Sequence, residues 1–127
     1  MSNNNPAWWS EEYGFFGDFY MEGDNSKDGY RIAKKQNLKQ RTLTEVDGVL
    51  RLLDLKTKSK ILDCPTGYGR HSIELAKRGF MVTGADINSK HLAIAKKEAE
   101  KISAKIHFVK ENMLELDYSF KFDAIIN

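Results

Sequence analysis

The segment ILDCPTGYGRHSIELAKRG, residues 61–79, limits the possible folds of this chain more than any other part of it. Residues 60–64 form an apolar run that reads as a short buried strand, and residues 65–69 form a loop that contains a proline and two glycines. A helical pattern follows over residues 70–78, with Gly79 suited to its left-handed C-terminal position. In this arrangement the helix N-terminus and the loop backbone face the same space, where a ligand can bind.

The rest of the chain continues the alternation of strands and helices. Residues 80–85, 106–109 and 122–126 read as the second, third and fourth strands. A helix that begins with Asn88 or Ser89 as its N-cap separates the second strand from the third, and an amphipathic helix from Leu38 precedes the first. The apolar stripe of the helix after the second strand consists of Leu92, Ala95, Ala99 and Ile102. This order predicts an α/β protein with a parallel sheet and right-handed crossovers.

Composition narrows the class of protein. With 127 residues, 41% hydrophobic and 30% charged, the chain has the make-up of one globular domain. The net charge of +2 is too small to indicate a nucleic-acid partner, and the lysine clusters fall on helix faces or helix ends. Cys64 is the single cysteine, residues 1–12 lack the pattern of a signal peptide, and no apolar run approaches about 18 residues. We therefore predict a cytoplasmic protein with no membrane or nucleic-acid partner.

The glycine loop and the acid after the second strand predict a ligand that contains ribose. Gly67 and Gly69 remove side chains, so that a ligand can approach the backbone N–H groups. Asp86 lies 23 positions after Asp63, at the end of the second strand. Nucleotide-binding folds have an acidic residue at this spacing, which accepts hydrogen bonds from ribose hydroxyls.

The charge of the loop distinguishes between ribose ligands. The dinucleotide fingerprint requires a third glycine or alanine where this chain has Ser72, and no Gly-Lys-Ser/Thr follows the glycines. Asp63 would oppose a pyrophosphate and would favour a cation. These residues favour S-adenosylmethionine, which has a sulfonium, an ammonium and a ribose but no phosphate. A nicotinamide-dependent oxidoreductase remains the alternative.

Four segments resemble the motifs of the class I S-adenosylmethionine-dependent methyltransferases. ILDCPTGYGRHSIELAKRG is similar to their first motif and VTGADINSKHLAIAKK to the motif of their second strand. IHFVKENMLELD and FDAIIN resemble the motifs of the third and fourth strands, and the segment RTLTEVD resembles bacterial small-molecule members. The resemblance implies a Rossmann-like, doubly wound parallel sheet with strand order 3-2-1-4. It also implies methyl transfer to a small-molecule acceptor, with S-adenosylhomocysteine as the product.

The same resemblance implies roles for individual residues. Asp63 would hold the ammonium of the cofactor, directly or through water, and Asp86 would bind both ribose hydroxyls. The adenine would contact Ile87 on its face, and Asn112 and Met113 at its edge. The full set of cofactor-binding residues implied is Asp63, Pro65, Gly67, Gly69, Asp86, Ile87, Asn112 and Met113, with Tyr20, Arg41 and Asn127 as further candidates. No general base is identified, and the three scattered histidines predict no metal site.

The sequence departs from the family pattern at two of these positions. Pro65 stands where the family usually has its first glycine, so the loop loses one backbone donor and becomes stiffer. Asn112 stands where the family usually has aspartate, and its carbonyl oxygen can still accept from the adenine amino group. We expect both changes to preserve the site.

The resemblance also predicts how the chain is organised. Residues 1–40 would form an aromatic helical segment that is either plain packing or a lid, and residues 41–127 a cofactor-binding domain that is incomplete at its C-terminus. The family sheet has the order 3-2-1-4-5-7-6, so we expect its first half here. The fourth strand would then be an exposed edge that pairs with a second copy or with a complementing chain. A non-catalytic remnant is a further alternative.

Overall fold

The structure is a computed structural model that describes residues 37–117 and 121–127. The predicted aromatic segment of residues 1–40 lies outside the described residues, except for its last four positions. The lid role and the candidate Tyr20 therefore stay predictions, as does the domain boundary at residue 41.

Helices and strands alternate along the described chain as the sequence predicts. The helices are α1 (Leu38–Leu53), α2 (Arg70–Lys77) and α3 (Ser89–Lys101), with a short 3₁₀ turn at Met113–Glu115. The strands are β1 (Lys60–Asp63), β2 (Met81–Asp86), β3 (His107–Lys110) and β4 (Ala124–Ile126). Within the described residues these strands form one parallel sheet in the order β3-β2-β1-β4. The predicted Rossmann-like α/β fold and its strand order are confirmed.

The strand boundaries differ from the predicted ones by one or two residues. β1 ends at Asp63 rather than at Cys64, and β2 and β3 each begin and end one residue later than predicted. β4 begins at Ala124 rather than at Phe122, whose side chain packs against the apolar cluster on one face of the sheet. Burial of an aromatic ring does not require its backbone to be extended, so an apolar pattern alone placed the start of β4 too early.

Both faces of the sheet contribute to the core because successive side chains of a strand point to opposite sides. Ile61 of β1 and Val82 of β2 are paired in register and share one cluster with Val46 of α1 and Leu75 of α2. The next residue, Leu62, is 1% exposed on the opposite face. There it joins the second cluster, whose fully buried members are Leu62, Cys64 and Ala85.

Local hydrogen bonds set the ends of the helices. At the start of α1, Asn37 and Gln40 form a reciprocal capping box, in which each side chain accepts from the other residue's backbone N–H. α2 ends in a Schellman motif at Gly79, whose φ is 94°. There the N–H of Gly79 donates to the Ala76 carbonyl (3.0 Å) and the N–H of Phe80 to the Leu75 carbonyl (3.2 Å). The predicted end of this helix is confirmed.

α3 begins at the cap that the sequence predicts. The side chain of Asn88 accepts a hydrogen bond from the backbone N–H of His91 at 3.0 Å. Leu92, Ala95 and Ala99 of the predicted stripe are buried, whereas Ile102 is 43% exposed. Ile102 follows the last residue of the helix, so the helical period no longer directs its side chain to the core.

Two glycines allow the aromatic ring of Phe108 to pack beside the sheet. A Cβ at Gly84 would lie 2.7 Å from Cδ1 of Phe108 and 2.9 Å from the hydroxyl of Thr66. A Cβ at Gly69 would lie 2.9 Å from Cβ of Ala95 and 3.5 Å from the same ring. Contacts this short do not occur in well-packed interiors, so both positions require glycine.

We expect Gly84→Ala to lower the free energy of unfolding by about 1–3 kcal/mol, because the new methyl group overlaps the Phe108 ring. Gly48→Ala is the matched control: it lies inside α1, and a Cβ there meets no atom within 4 Å. The control should raise stability by about 0.5–1 kcal/mol through helix propensity. Urea unfolding of the full chain measures both changes, and equal stability of Gly84→Ala and the parent would contradict the packing argument.

Candidate functional site

Three acidic residues lie at the carboxyl edge of the sheet. Asp63 is the last residue of β1, Asp86 is the last residue of β2, and Glu111 follows β3 directly. The backbone N–H of Glu111 donates to the carbonyl of Asp86 at 3.0 Å, so these strand ends are held side by side. Ligands of open α/β sheets bind beyond this edge. We call Asp63, Asp86 and Glu111 the acidic edge.

Asp86 ties the glycine loop to the start of α3. Its Oδ2 accepts from the backbone N–H of Gly67 and its Oδ1 from the backbone N–H of Asn88, both at 2.8 Å. The residue is 6% exposed. Each carboxylate oxygen has a further lone pair, so both backbone bonds are compatible with the predicted bonds to ribose hydroxyls.

The two glycines of the loop have different roles. Gly67 has a φ of 59°, and a Cβ there would meet nothing within 4 Å, which is consistent with a backbone that a ligand can approach. Gly69 has a φ of 84° and faces Ala95 and Phe108, so its missing side chain makes room for protein atoms. Packing therefore gives a separate reason for glycine at position 69, and the approach of a ligand to its backbone stays a prediction. Pro65 is exposed and follows a cis peptide bond.

Asp63 is buried with two hydroxyl groups on one of its oxygens. Its Oδ2 accepts from Oγ of Ser72 at 2.7 Å and from Oγ1 of Thr66 at 3.0 Å. The two hydroxyl oxygens lie 2.9 Å apart. Burial raises the pKa of Asp63 above its ordinary value, and the hydrogen bonds from Ser72 and Thr66 oppose that rise. In the sequence, Ser72 was notable only because a dinucleotide site would have glycine or alanine there.

The pKa of the neighbouring Cys64 thiol reflects the negative charge of this edge. Cys64 is 4% exposed, as expected for a core residue. Burial raises the pKa of its thiol to about 11, and the negative charges of Asp86, Asp63 and Glu111 contribute to the rise. The acidic edge therefore opposes an anion and favours a cation.

A polar cluster joins α1 to the first turn of α2. Oε2 of Glu45 lies 2.5 Å from NH1 of Arg70 and 2.6 Å from Nε2 of His71, and Arg70 also donates to the Thr42 hydroxyl at 3.2 Å. Burial raises the pKa of Glu45, but the bonds from Arg70 and His71 outweigh burial and leave the pKa below its ordinary value. The sequence reasoning missed Glu45, because a lone acid on an amphipathic helix reads as solvated surface.

The other predicted cofactor-binding residues lie after the strands or in α1. Ile87 follows Asp86 and is 38% exposed, and Met113 is 49% exposed after β3. The side-chain oxygen of Asn112 accepts from the backbone N–H of Leu114 at 3.0 Å and caps the 3₁₀ turn. Arg41 lies in α1 and Asn127 follows β4. In the described part of the chain, no cluster of side chains could hold a metal ion and no helix could span a membrane.

The parallel sheet, the glycine loop and the acid after β2 define a Rossmann-like nucleoside-binding fold. Residues 61–127 match the family model described as "Methyltransferase domain". The chain belongs to this family, the class I S-adenosylmethionine-dependent methyltransferases, whose cofactor is S-adenosylmethionine.

Similar proteins cover only part of this chain. A Geobacillus protein whose name assigns it to the methyltransferases is 42% identical over 66 residues, which are 52% of this chain and 27% of that protein. The 23S rRNA (uracil(747)-C(5))-methyltransferase of Pyrococcus abyssi is 45% identical over 51 residues, 40% of this chain and 12% of the relative. The chain thus spans 27% and 12% of the lengths of these two relatives.

One solved structure connects the fold to a bound product. The Pyrococcus abyssi tRNA (uracil-54, C5)-methyltransferase was crystallised in complex with S-adenosyl-L-homocysteine. It superposes on this chain with a TM-score of 0.59 and 26% identity, over 71% of this chain and 22% of the length of that protein. Two of these three relatives are thus named as RNA methyltransferases. Their names conflict with the prediction that nucleic acid is not a partner.

We expect the Asp63 carboxyl to make stability fall as pH rises through the acid range. The folded pKa is raised, so between the ordinary aspartate pKa of about 3.9 and the folded pKa the folded state binds more protons than the unfolded state. Asp63→Asn removes this contribution. Parent stability minus variant stability should therefore decrease with pH, by about 1.4 kcal/mol for each unit of pKa difference.

Urea unfolding of parent and Asp63→Asn at several pH values from about 4 to 7 tests this linkage. Glu100→Gln, an exposed acid of α3, is the control and should show no such trend. A stability difference for Asp63→Asn that stays constant or increases with pH would contradict a raised pKa.

Proposed function

We propose that this chain contains the cofactor-binding half of a methyltransferase that acts on a small-molecule acceptor. The observation that carries the proposal is the acidic edge, where the strand-end carboxylates lie beside a glycine loop with an open backbone position. A ligand with a cation and a ribose fits that edge, and a pyrophosphate does not.

The residues fit the parts of the cofactor in a definite way. Asp86 would accept from the ribose hydroxyls while keeping its bonds to Gly67 and Asn88. Asp63 would face the ammonium, directly or through water. The half-exposed side chains of Ile87 and Met113 would contact the adenine. The other residues assigned to the site are Pro65 and Gly67 in the loop, Gly69 behind it, and Asn112 at the adenine edge.

The protein's part in the reaction is mainly positioning. The cofactor supplies a methyl group that is already activated by its bond to a sulfonium. The chain therefore has to hold donor and acceptor in line and exclude water. An acceptor that is methylated on an O–H or N–H group must lose that proton, and we assign no described residue as the base that accepts it.

A nicotinamide-dependent oxidoreductase is the weaker alternative. A dinucleotide would bring a pyrophosphate to the start of α2, close to the buried carboxyl of Asp63. Ser72 occupies the position where the dinucleotide fingerprint has glycine or alanine, and its hydroxyl donates to Asp63. Both features disfavour this function.

An RNA acceptor is the second candidate, and the names of the Pyrococcus relatives favour it. Against it stands the near balance of 20 basic and 18 acidic residues, which provides little general attraction for phosphates. We therefore favour a small acceptor, and the single cysteine of the sequence supports a cytoplasmic location.

We expect Asp86→Ala to weaken S-adenosylhomocysteine binding by about 1.5–3 kcal/mol, the scale of lost hydrogen bonds to a charged acceptor. Isothermal titration calorimetry measures the change, and Glu100→Gln serves as the control. Asp86→Asn should fall between the two, because it keeps one acceptor oxygen but loses the charge. Unchanged affinity in Asp86→Ala, or tighter binding of NAD⁺ than of S-adenosylhomocysteine by the parent, would contradict the assigned site.

The acceptor class is tested by RNA binding. With a uracil-containing RNA hairpin at about 150 mM salt, we expect only weak binding, in the range typical of non-specific contacts (Kd of about 10⁻⁴–10⁻⁶ M). Fluorescence anisotropy measures the affinity with and without S-adenosylhomocysteine. Submicromolar, cofactor-enhanced binding would favour the RNA acceptor instead.

A further inference from the structure

The side chains of Asp63, Thr66 and Ser72 meet at Oδ2 of Asp63 and come from three different elements. Asp63 ends β1, Thr66 lies in the loop, and Ser72 lies in the first turn of α2. They are 2%, 7% and 0% exposed, respectively. Three polar side chains that meet without access to water must satisfy one another, because unpaired polar groups are costly in the interior.

The hydrogen bonds from the two hydroxyls favour the charged form of the carboxyl. Each hydroxyl has one proton, and both hydroxyl oxygens lie within hydrogen-bond distance of the same carboxylate oxygen, Ser72 at 2.7 Å and Thr66 at 3.0 Å. Bonds from two donors to one oxygen stabilise its negative charge. Burial acts in the opposite direction and disfavours the charge. The hydroxyls therefore determine how much charge the buried carboxyl retains.

We propose that Ser72 and Thr66 are positioning residues, which hold the Asp63 carboxylate in the charge state and orientation that receive the cationic end of the cofactor. The proposal rests on the proposed function, because it assumes that Asp63 faces the ammonium. It extends that function to two residues outside the assigned site. Ser72 stands where a dinucleotide site has glycine or alanine, and its hydroxyl stabilises the negative charge of Asp63.

Other charged groups near Asp63 act on it as well. The positive form of His71 in α2 favours the ionised Asp63 carboxylate. The negative charge of Asp63, together with those of Asp86 and Glu111, in turn raises the pKa of the adjacent Cys64 thiol. These groups are unchanged in a hydroxyl variant, so a comparison of parent and variant isolates the hydroxyl.

The first experiment measures Asp63 in the full chain without cofactor. The carboxyl carbon of Asp63 is followed by NMR as a function of pH in the parent, in Ser72→Ala and in Thr66→Val. We expect each variant to raise the pKa of Asp63 by about one unit, because each loses a donor to the charged form. Thr66→Ser keeps the hydroxyl and should restore the parent value. Ser59→Ala, a change of an exposed hydroxyl that donates to the Lys56 carbonyl, is the control.

The second experiment measures the affinity for S-adenosylhomocysteine by calorimetry over the same pH range. A cationic ammonium stabilises ionised Asp63, so affinity is present above the pKa of the free protein and is lost as pH falls through it. The loss should be up to about ten-fold per pH unit. In Ser72→Ala and Thr66→Val the pH of this loss should move upward by the same amount as the NMR titration.

Each outcome has a definite meaning. Parallel upward shifts in both experiments, with rescue by Thr66→Ser, support the proposal. An Asp63 pKa that does not move in either hydroxyl variant overturns it. A pKa that moves without a matching shift in affinity also overturns it, since the hydroxyls then act on a carboxyl that no cation meets. If the parent itself does not bind S-adenosylhomocysteine, the proposed function fails as well, and the NMR titration still reports the effect of the hydroxyls.

Discussion

The hydrogen bonds from the backbone of Gly67 and Asn88 to Asp86 are the contacts on which the site depends. Through them one carboxylate at the end of β2 fixes the loop after β1 and the N-cap of α3. A glycine with positive φ has no side chain to hold it, so its position would otherwise be set by the loop closure alone. The residue that we propose for ribose recognition therefore also fixes the loop to which the ribose would bind.

Packing of Ala95 and Phe108 against Gly69 also fixes this loop. Gly69 and Gly84 leave space that Phe108 and Ala95 fill, and the hydroxyl of Thr66 lies against the Gly84 backbone. The site thus rests on a layer in which no methyl group can be added without moving an aromatic ring or a helix. This packing explains why two glycines near the ligand edge are required by protein neighbours, whereas Gly67 faces open space.

How much could be predicted from the sequence depends on whether a feature is local. The Schellman end at Gly79, the cap at Asn88 and the order of strands and helices follow from short-range chemistry, and the structure confirms them. Side-chain contacts between distant segments, other than the pairing of the strands, were not predicted. Glu45 meets Arg70 and His71 across 25 and 26 positions, and no pattern within α1 distinguishes Glu45 from a solvated acid.

Ser72 shows how a single side chain can separate two classes of ligand on one backbone. A dinucleotide fold has a glycine or alanine at this position so that the helix packs closely and the phosphates meet N–H groups. Here the helix start still packs closely, since Ser72 is 0% exposed, but its hydroxyl donates to the Asp63 carboxyl. The donor makes a buried negative charge tolerable at a helix N-terminus that would otherwise attract phosphate. The fold would supply a nucleoside site in both cases, and under our proposal the buried hydroxyl and carboxyl together change the preferred ligand from an anion to a cation.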